Sequence, residues 1–187
     1  MSAAFDALHP ALRHHVVSSL GWRALRPLQE CAIEPVLRGE HVLLGAPTAG
    51  GKTEAALFPL LSRMLEESWS GLSVLYVCPL RALLNNLEPR VDQLCRLLGR
   101  RAALWHGDIG ESERRSILRD PPDVLLTTPE SLEAMGISTR VDQRQLLGAF
   151  APSSPTRCTH LRATTAVGTC SPSWHGSRRR SRSRCSG

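Results

Sequence analysis

With 187 residues, 42% of them hydrophobic, the chain can bury one core but is too short for two large domains. Its net charge of +6 is uneven, because residues 1–150 carry sixteen basic and seventeen acidic side chains, whereas residues 151–187 hold seven Arg and no Asp or Glu. The basic balance therefore says little about nucleic-acid binding by the folded part. No apolar run reaches membrane-spanning length and no signal-peptide core is present, so we expect a cytoplasmic protein without membrane contacts.

Apolar residues predict an alternation of strands and helices. The short run His41–Ala46 is typical of a strand buried on both faces, and a helix interrupted by a kink at Pro59 is predicted after it. Three further strands are predicted at Leu72–Cys78, Ala102–Trp105 and Asp123–Thr127, with helical patterns at 83–98 and 111–119. This alternation predicts an α/β fold: a parallel sheet with helices on both faces, binding ligands at the carboxyl ends of its strands.

Residues 46–53, Ala-Pro-Thr-Ala-Gly-Gly-Lys-Thr, contain the only lysine of the chain and have the pattern of a phosphate-binding loop. Gly50 and Gly51 allow a sharp turn that points N–H groups at phosphate oxygens, and Lys52 adds a compact charge for the β and γ phosphates. Thr53 supplies a hydroxyl for Mg²⁺. Ala46 stands where the usual pattern opens with glycine, and the alternative is a glycine-rich turn that binds nothing.

Four further motifs occur in order along the chain. The first, Leu25-Arg26-Pro27-Leu28-Gln29, precedes the loop, and the others are Cys78–Leu83 after the second predicted strand, Trp105–Asp108 after the third and Leu126–Ser131 at the fourth. Together with the phosphate-binding loop, this set resembles the first RecA-like domain of superfamily 2 DEAD/DEAH-box helicases, over about residues 20–141. The forms Ala-Pro-Thr-Ala-Gly-Gly-Lys-Thr and Thr-Thr-Pro-Glu-Ser are most similar to the Lhr (large helicase-related) branch.

The resemblance implies roles for individual residues. It implies that the adenine and triphosphate of ATP are bound by Gln29, Thr48, Ala49, Gly50, Gly51, Lys52 and Thr53, with Lys52 catalytic and Thr53 a ligand of Mg²⁺. It implies that the backbone of single-stranded or duplex DNA or RNA is contacted by Arg81, Thr128, Pro129 and Glu130, beside the loop 106–108. Taken singly, these residues could instead be a surface amide, a solvated charge and an ordinary helix start capped by Thr128.

The Asp-Glu-x-His box that such helicases carry after the fourth strand, and a second RecA-like domain, do not occur in this sequence. Reading the codons of residues 150–171 two nucleotides later permits Arg-Ala-Val-Val-Ala-Asp-Glu-Val-His-Ala-Phe, followed by Ala-Gly-Asp-Asp-Arg-Gly-Trp-His-Leu-Leu. We hypothesise a reading-frame slip between about Val141 and Gly148. Residues 1–148 would then be a partial N-terminal RecA-like domain with little ATPase activity, and residues 149–187 a disordered, out-of-frame tail rich in Arg, Ser and Pro.

Two other classes of function remain open from the residues. One is a small P-loop nucleotide-dependent transferase, and the other is a non-enzymatic protein that binds nucleic acid through the arginines of residues 178–184. Cys158, His160, Cys170 and His175 lack the CxxC spacing of a zinc site, and we expect reduced core thiols at Cys31, Cys78 and Cys95. The preference for DNA or RNA and the oligomeric state stay open.

Overall fold

A computed structural model describes residues 2–47 and 49–137 of the chain. Thr48, the predicted tail at 149–187 with its cysteines and histidines, and the predicted slip at 141–148 lie outside the described residues. In chain order the described elements are α1 (Ala3–Asp6), α2 (Pro10–Ser18), α3 (Pro27–Leu37), α4 (Lys52–Glu66), β1 (Val74–Val77), α5 (Arg81–Leu97), β2 (Ala102–Trp105), α6 (Glu111–Arg119), β3 (Val124–Thr127) and α7 (Pro129–Ile137).

The three strands form a parallel sheet in the order β1-β3-β2. Val124 of β3 pairs with Val74 on one side and with Ala102 on the other, so β3 is the central strand. All four residues of β3 are buried, as its continuous apolar sequence requires. The predicted α/β class is confirmed, β2 and α6 have the predicted bounds, and β1 is shorter than the predicted Leu72–Cys78.

Helices cover both faces of this sheet. Val124 and Leu126 of β3 join the larger core, which also contains the buried residues of α4 and α5. Leu125 points to the opposite face and packs in a smaller cluster with Ile117 of α6 and Met135 of α7. The alternation of side chains along β3 therefore separates the helices into two layers, α4 with α5 and α6 with α7.

The predicted strand at His41–Ala46 is wrong. No regular strand forms there, and Leu43 is 91% exposed. A strand needs a neighbour that pairs with its N–H and C=O groups, and among residues 2–47 and 49–137 no segment pairs with this run. Its apolar sequence fits a central strand, but the described sheet contains no partner for it.

The expectation for the cysteines holds at two of three positions. Cys78 and Cys95 are buried, but Cys31 is exposed. On α3 the core-facing residues are Ala32, Ile33 and Val36, and the helical period turns position 31 away from that stripe. None of the helices in the described part of the chain is long and apolar enough to cross a membrane.

Candidate nucleotide and nucleic-acid site

The loop between the 41–47 segment and α4 has room for glycine only at two consecutive positions. At Gly51, which has φ of +80°, a Cβ atom would lie 2.6 Å from Nε2 of Gln29. At Gly50 it would lie 2.9 Å from both Cβ of Ala46 and the carbonyl oxygen of Pro47. Ala49 also has a left-handed φ, of 63°. The backbone here is therefore tightly turned and closely packed, as an N–H cradle for an anion requires.

Lys52 is the first residue of α4, and its ammonium group turns back into the loop. Nζ donates to the carbonyl oxygens of Ala46 at 2.6 Å and Pro47 at 2.9 Å. This places the positive charge beside the N-terminus of a 15-residue helix, where the exposed N–H groups and the helix dipole also favour a negative ligand.

Gln29 joins the start of α3 to this loop. It is 1% exposed, its Oε1 accepts a hydrogen bond from the N–H of Arg26 at 2.9 Å, and its Nε2 donates to the carbonyl of Gly51 at 3.4 Å. The Arg26 guanidinium donates to the carbonyl of Ala49. Arg26 thus holds the left-handed residue of the loop, a role that sequence reasoning missed although Arg26 lies three residues before Gln29 in the same motif.

An open cavity of about 980 Å³ lies over the loop. Its lining includes Gly50, Lys52 and Thr53, together with Trp22 and Gln29. The lining also includes Tyr76 of β1, Leu80 directly before α5, and Leu83 and Leu87 of α5. A cavity lined by a lysine at a helix N-terminus and by several apolar side chains suits a ligand that has a polyanionic end and a flat heterocyclic end.

Carboxylates are scarce around the hydroxyl of Thr53. Glu54 lines the cavity, but its carboxylate is 13% exposed and forms an ion pair with Arg90 of α5. Within residues 2–47 and 49–137 no cluster of three or more His, Cys, Asp and Glu side chains comes together as a metal site. Thr53 is thus the one predicted metal ligand that the described residues bring to the cavity.

The positions predicted to contact nucleic acid gather at the carboxyl ends of the strands. Arg81 begins α5 just after β1, and its Nη1 lies 2.8 Å from Oδ1 of Asp108, which follows β2. Both side chains are more than half exposed. His106, which directly follows β2, is buried, and its Nε2 lies 2.8 Å from Oδ1 of Asn85. Arg114 donates to the carbonyls of His106 and Gly107.

The residues that follow β3 bring Glu130 to the same surface as Arg81 and Asp108. The Thr128 hydroxyl accepts from the N–H of Ser131 at 3.3 Å, so it caps the start of α7, while Pro129 is the first residue of that helix. The Glu130 carboxylate is exposed. Hydrogen bonds from its own backbone N–H and from the Thr128 hydroxyl, and then the charge of Arg81, lower the pKa of Glu130 below its ordinary value. Arg81, Asp108 and Glu130 therefore form one exposed surface around the ends of β1, β2 and β3.

The structure brings the predicted residues together in two groups. Gln29, Ala49, Gly50, Gly51, Lys52 and Thr53 surround the cavity, and Arg81, Thr128, Pro129 and Glu130 lie at the strand ends. Leu80 lines the cavity and is followed directly by Arg81, so the two groups adjoin at the start of α5. The ion pair between Glu54 and Arg90 was not predicted from the sequence. The only feature of the sequence that could have indicated it is the acidic residue directly after Thr53.

Known proteins similar to this chain are helicases. The Lhr helicase/probable uracil glycosylase of Mycolicibacterium smegmatis is 36% identical over 124 residues, which are 58% of this chain and 8% of that protein. The ATP-dependent helicase Lhr-Core of Methanocaldococcus jannaschii is 30% identical over 128 residues, 59% of this chain and 15% of that protein. The chain thus spans only a small part of the length of these relatives.

Solved structures agree with the sequence relatives. The structure of the Mycobacterium smegmatis helicase Lhr bound to ssDNA and AMP-PNP is similar with a TM-score of 0.67 and 29% identity, over 78% of this chain and 20% of that one. A DEAD-box helicase bound to ssRNA has the same fold, with a TM-score of 0.64 at 19% identity. The sequence profile of the DEAD/DEAH box helicases matches residues 26–150. This chain therefore belongs to the DEAD/DEAH box helicase family and is a Lhr-like member of it, with the fold of the N-terminal RecA-like domain.

Proposed function

We propose that this chain is the ATP-binding and nucleic-acid-binding N-terminal portion of an ATP-dependent Lhr-like helicase. The observation that supports this most directly is the cavity floor, where Lys52 and two glycines without room for a Cβ lie at the start of α4. The residues support triphosphate binding, because the loop leads into the N-terminus of α4, where the helix dipole favours an anion, and the Lys52 ammonium lies beside that terminus. The buried amide of Gln29 adds a donor and an acceptor for an adenine edge.

Each residue of the cavity has a defined task in this proposal. The backbone from Ala49 to Lys52 binds and orients the phosphates, and Lys52 neutralises the β and γ oxygens. Arg26 fixes the carbonyl of Ala49, so that the loop keeps its shape. Thr53 would hold Mg²⁺, which when bound supplies charge neutralisation at the phosphates. Thr48, outside the described residues, belongs to the same loop in this proposal.

The surface of Arg81, Thr128, Pro129 and Glu130 is proposed to contact the nucleic-acid backbone. Arg81 offers a guanidinium that can leave Asp108 for a phosphate, and both partners are exposed. At the start of α7 the Thr128 hydroxyl accepts from the N–H of Ser131, and in this proposal the same hydroxyl donates to a phosphate oxygen. DNA and RNA share this phosphate chemistry, and the proposal does not choose between them.

We further propose that the 187-residue chain hydrolyses ATP poorly because of the reading-frame slip. Catalysis of this class needs an acidic pair that binds the metal and positions water. Glu54 is engaged with Arg90, so among the described residues Thr53 offers its hydroxyl without a neighbouring free carboxylate. Sequencing the coding DNA beyond codon 135 tests the slip: a second open frame that spells Asp-Glu-Val-His supports it, and a stop in that frame refutes it.

Nucleotide binding is tested with a fluorescent ATP analogue and the full chain. Lys52→Ala removes the charge at the phosphates, and we expect a loss of affinity of about tenfold or more. Arg119→Ala is the matched control, because Arg119 is an exposed cation on α6 outside the cavity. Equal affinities of the Lys52 and Arg119 variants would refute the proposed nucleotide site.

Nucleic-acid binding is tested by comparing two changes that shift the charge differently. The helicase proposal expects Arg81→Ala to weaken the binding of single-stranded DNA or RNA oligonucleotides. It also expects the chain without residues 151–187 to retain some oligonucleotide binding, and this remaining binding should still depend on Arg81. Fluorescence anisotropy over a salt series separates the two. If removal of the tail abolishes all binding while Arg81→Ala changes nothing, the strand-end surface is not the nucleic-acid site.

A further inference from the structure

The loop from His106 to Asp108 is held in place by hydrogen bonds to two helices. The His106 ring is 4% exposed, and its Nδ1 accepts a hydrogen bond from the N–H of Asp108 at 3.2 Å. Because Nδ1 accepts, Nε2 carries the ring proton and donates it to Oδ1 of Asn85 on α5. From α6, Arg114 donates to the carbonyls of His106 at 3.2 Å and Gly107 at 2.7 Å. The backbone that carries Asp108 therefore has little freedom to move.

Gly107 gives the Arg81 side chain room to lie directly on this loop. A Cβ atom at Gly107 would lie 3.3 Å from Nη2, 3.6 Å from Cζ and 3.7 Å from Nη1 of Arg81. These three guanidinium atoms are thus packed over the glycine, and a side chain there would crowd them. From this position Nη1 reaches Oδ1 of Asp108 at 2.8 Å. The pair is exposed, but the loop positions both of its members, so their mutual attraction is not all that keeps them together.

The charged side chains of this surface do not by themselves attract a polyanion. Arg81 contributes +1 while Asp108 and Glu130 contribute −1 each, so the three sum to −1, and Arg114 brings the sum only to zero. Hydrogen bonds from its own backbone N–H and from the Thr128 hydroxyl, followed by the charge of Arg81, lower the pKa of Glu130. Two carboxylates therefore act on the one guanidinium that the proposed function assigns to a phosphate.

We propose that Asp108 is an intramolecular competitor for Arg81, which a phosphate of the nucleic acid must displace before Arg81 can bind the backbone. The Asp108 carboxylate occupies Nη1, and carboxylates and phosphates bind the same N–H donors of a guanidinium. Because it is attached to a fixed loop, this carboxylate is always close to Arg81, whereas a separate ligand has to bind from solution. Asp108 thus lowers the affinity of the strand-end surface formed by Arg81, Asp108 and Glu130. The inference rests on the proposed contact between Arg81 and nucleic acid.

Asp108→Asn tests this competition in the full 187-residue chain, with a fluorescein-labelled single-stranded oligonucleotide and fluorescence anisotropy. Exposed ion pairs are weak, so we expect the affinity for the oligonucleotide to rise about three- to fivefold. Asp108→Ala also removes the carboxylate and should give the same gain, which shows that the new amide of the first variant is not the cause.

Asp120→Asn is the matched control for the loss of one negative charge. Asp120 forms an ion pair with Arg101 in which both side chains are again more than half exposed. This pair lies before β2 and β3, at the amino ends of the strands and thus opposite to Arg81. We expect the affinity of this variant to change by less than about 1.5-fold, because the charge is far from the proposed contact and screened by salt. Unchanged thermal unfolding, followed by circular dichroism, verifies that each variant folds.

Arg81→Ala, measured in parallel, separates failure of this inference from failure of the proposed function. If Arg81→Ala weakens binding but the Asp108 variants bind no more tightly than Asp120→Asn, the competition is refuted and the proposed contact of Arg81 stands. Equal gains in the Asp108 and Asp120 variants have the same meaning, since any lost negative charge would then suffice. If Arg81→Ala leaves the affinity unchanged, the proposed contact fails and the inference fails with it.

Discussion

Glu88 illustrates at the scale of one residue how charge is placed on α5. Burial, and then the negative charges of Asp92 and Glu113, raise the pKa of Glu88 above its ordinary value of 4.5. The folded chain therefore holds this proton more tightly than the unfolded chain does. Ionised Glu88 lowers the stability, and this loss is absent below pH 4.5 and complete above the raised pKa.

Glu88→Gln should therefore raise the free energy of unfolding at about pH 7.5 and change it little at about pH 3.5, where the carboxyl is neutral in both states. Gln and Glu have similar helix propensities, so the comparison isolates the charge. Urea unfolding at the two pH values measures it. A stabilisation of the same size at both would show that the side chain acts through packing and not through ionisation.

The residues of the cavity floor could be predicted from sequence because their chemistry is local. A lone lysine after two glycines, between an apolar run and a helical pattern, predicts a phosphate-binding loop by itself. Arg26 could not be predicted in the same way. Its guanidinium reaches Ala49 only because α3 and α4 pack side by side, and that packing places residues 23 positions apart in contact.

At the scale of elements, Arg100 joins the end of α4 to the start of the sheet. Its Nη1 donates to the carbonyl of Trp69 at 2.7 Å and to the carboxylate of Asp123 at 3.1 Å, and its Nη2 donates to the carbonyl of Met64. The side chains of Arg100 and Asp123 are only 20% and 16% exposed. This cluster is a half-buried ion pair, and Arg100 makes its remaining hydrogen bonds to backbone carbonyls.

Arg100→Ala should lower the free energy of unfolding by about 2 kcal/mol, since it removes the cationic partner of Asp123, which keeps only the N–H of Arg101 as a donor, and the side-chain donor to the Trp69 carbonyl. Arg101→Ala is the matched control, because Arg101 and its partner Asp120 are both more than half exposed, and we expect a change within about 0.5 kcal/mol. Chemical unfolding monitored by circular dichroism gives both values. Similar losses for the two variants would mean that burial of the pair is not what matters.

The 41–46 segment shows where reasoning from sequence stops at this scale. Its apolar residues predict a buried strand, because such a run is typical of the centre of a parallel sheet, and that prediction is wrong. Pairing, however, is a property of two segments. The residues that the structure describes contain no neighbour for it, so Leu43 is exposed and the run stays irregular. The sequence of one segment therefore cannot show whether a neighbouring strand is present to pair with it.

At the scale of the whole molecule, buried thiols can report whether the fold is intact. Cys78 and Cys95 belong to the larger core, whereas Cys31 lies at the surface. Burial, followed by the charges of Asp123 and Asp92, raises the pKa of Cys95 to about 12, so almost no thiolate exists near neutral pH.

Alkylation with iodoacetamide at about pH 7.5, followed by peptide mass spectrometry, should label Cys31 in the native chain and Cys95 only after denaturant unfolds it. The ratio of the two labels then measures the folded fraction. Rapid labelling of Cys95 without denaturant would show that the core of α4, α5 and the sheet does not persist in solution.

Because Lys52 is the only lysine, the chain has one defined cleavage site, and proteolysis there can follow the local opening of the structure. A lysine-specific endoprotease has only one peptide bond to cut in all 187 residues, the one between Lys52 and Thr53. That bond lies in the first turn of α4, and a protease must draw several residues into an extended form before it can cleave. The conversion of one band into two on a gel therefore times the opening of a single helix start, with no other cleavage to obscure it.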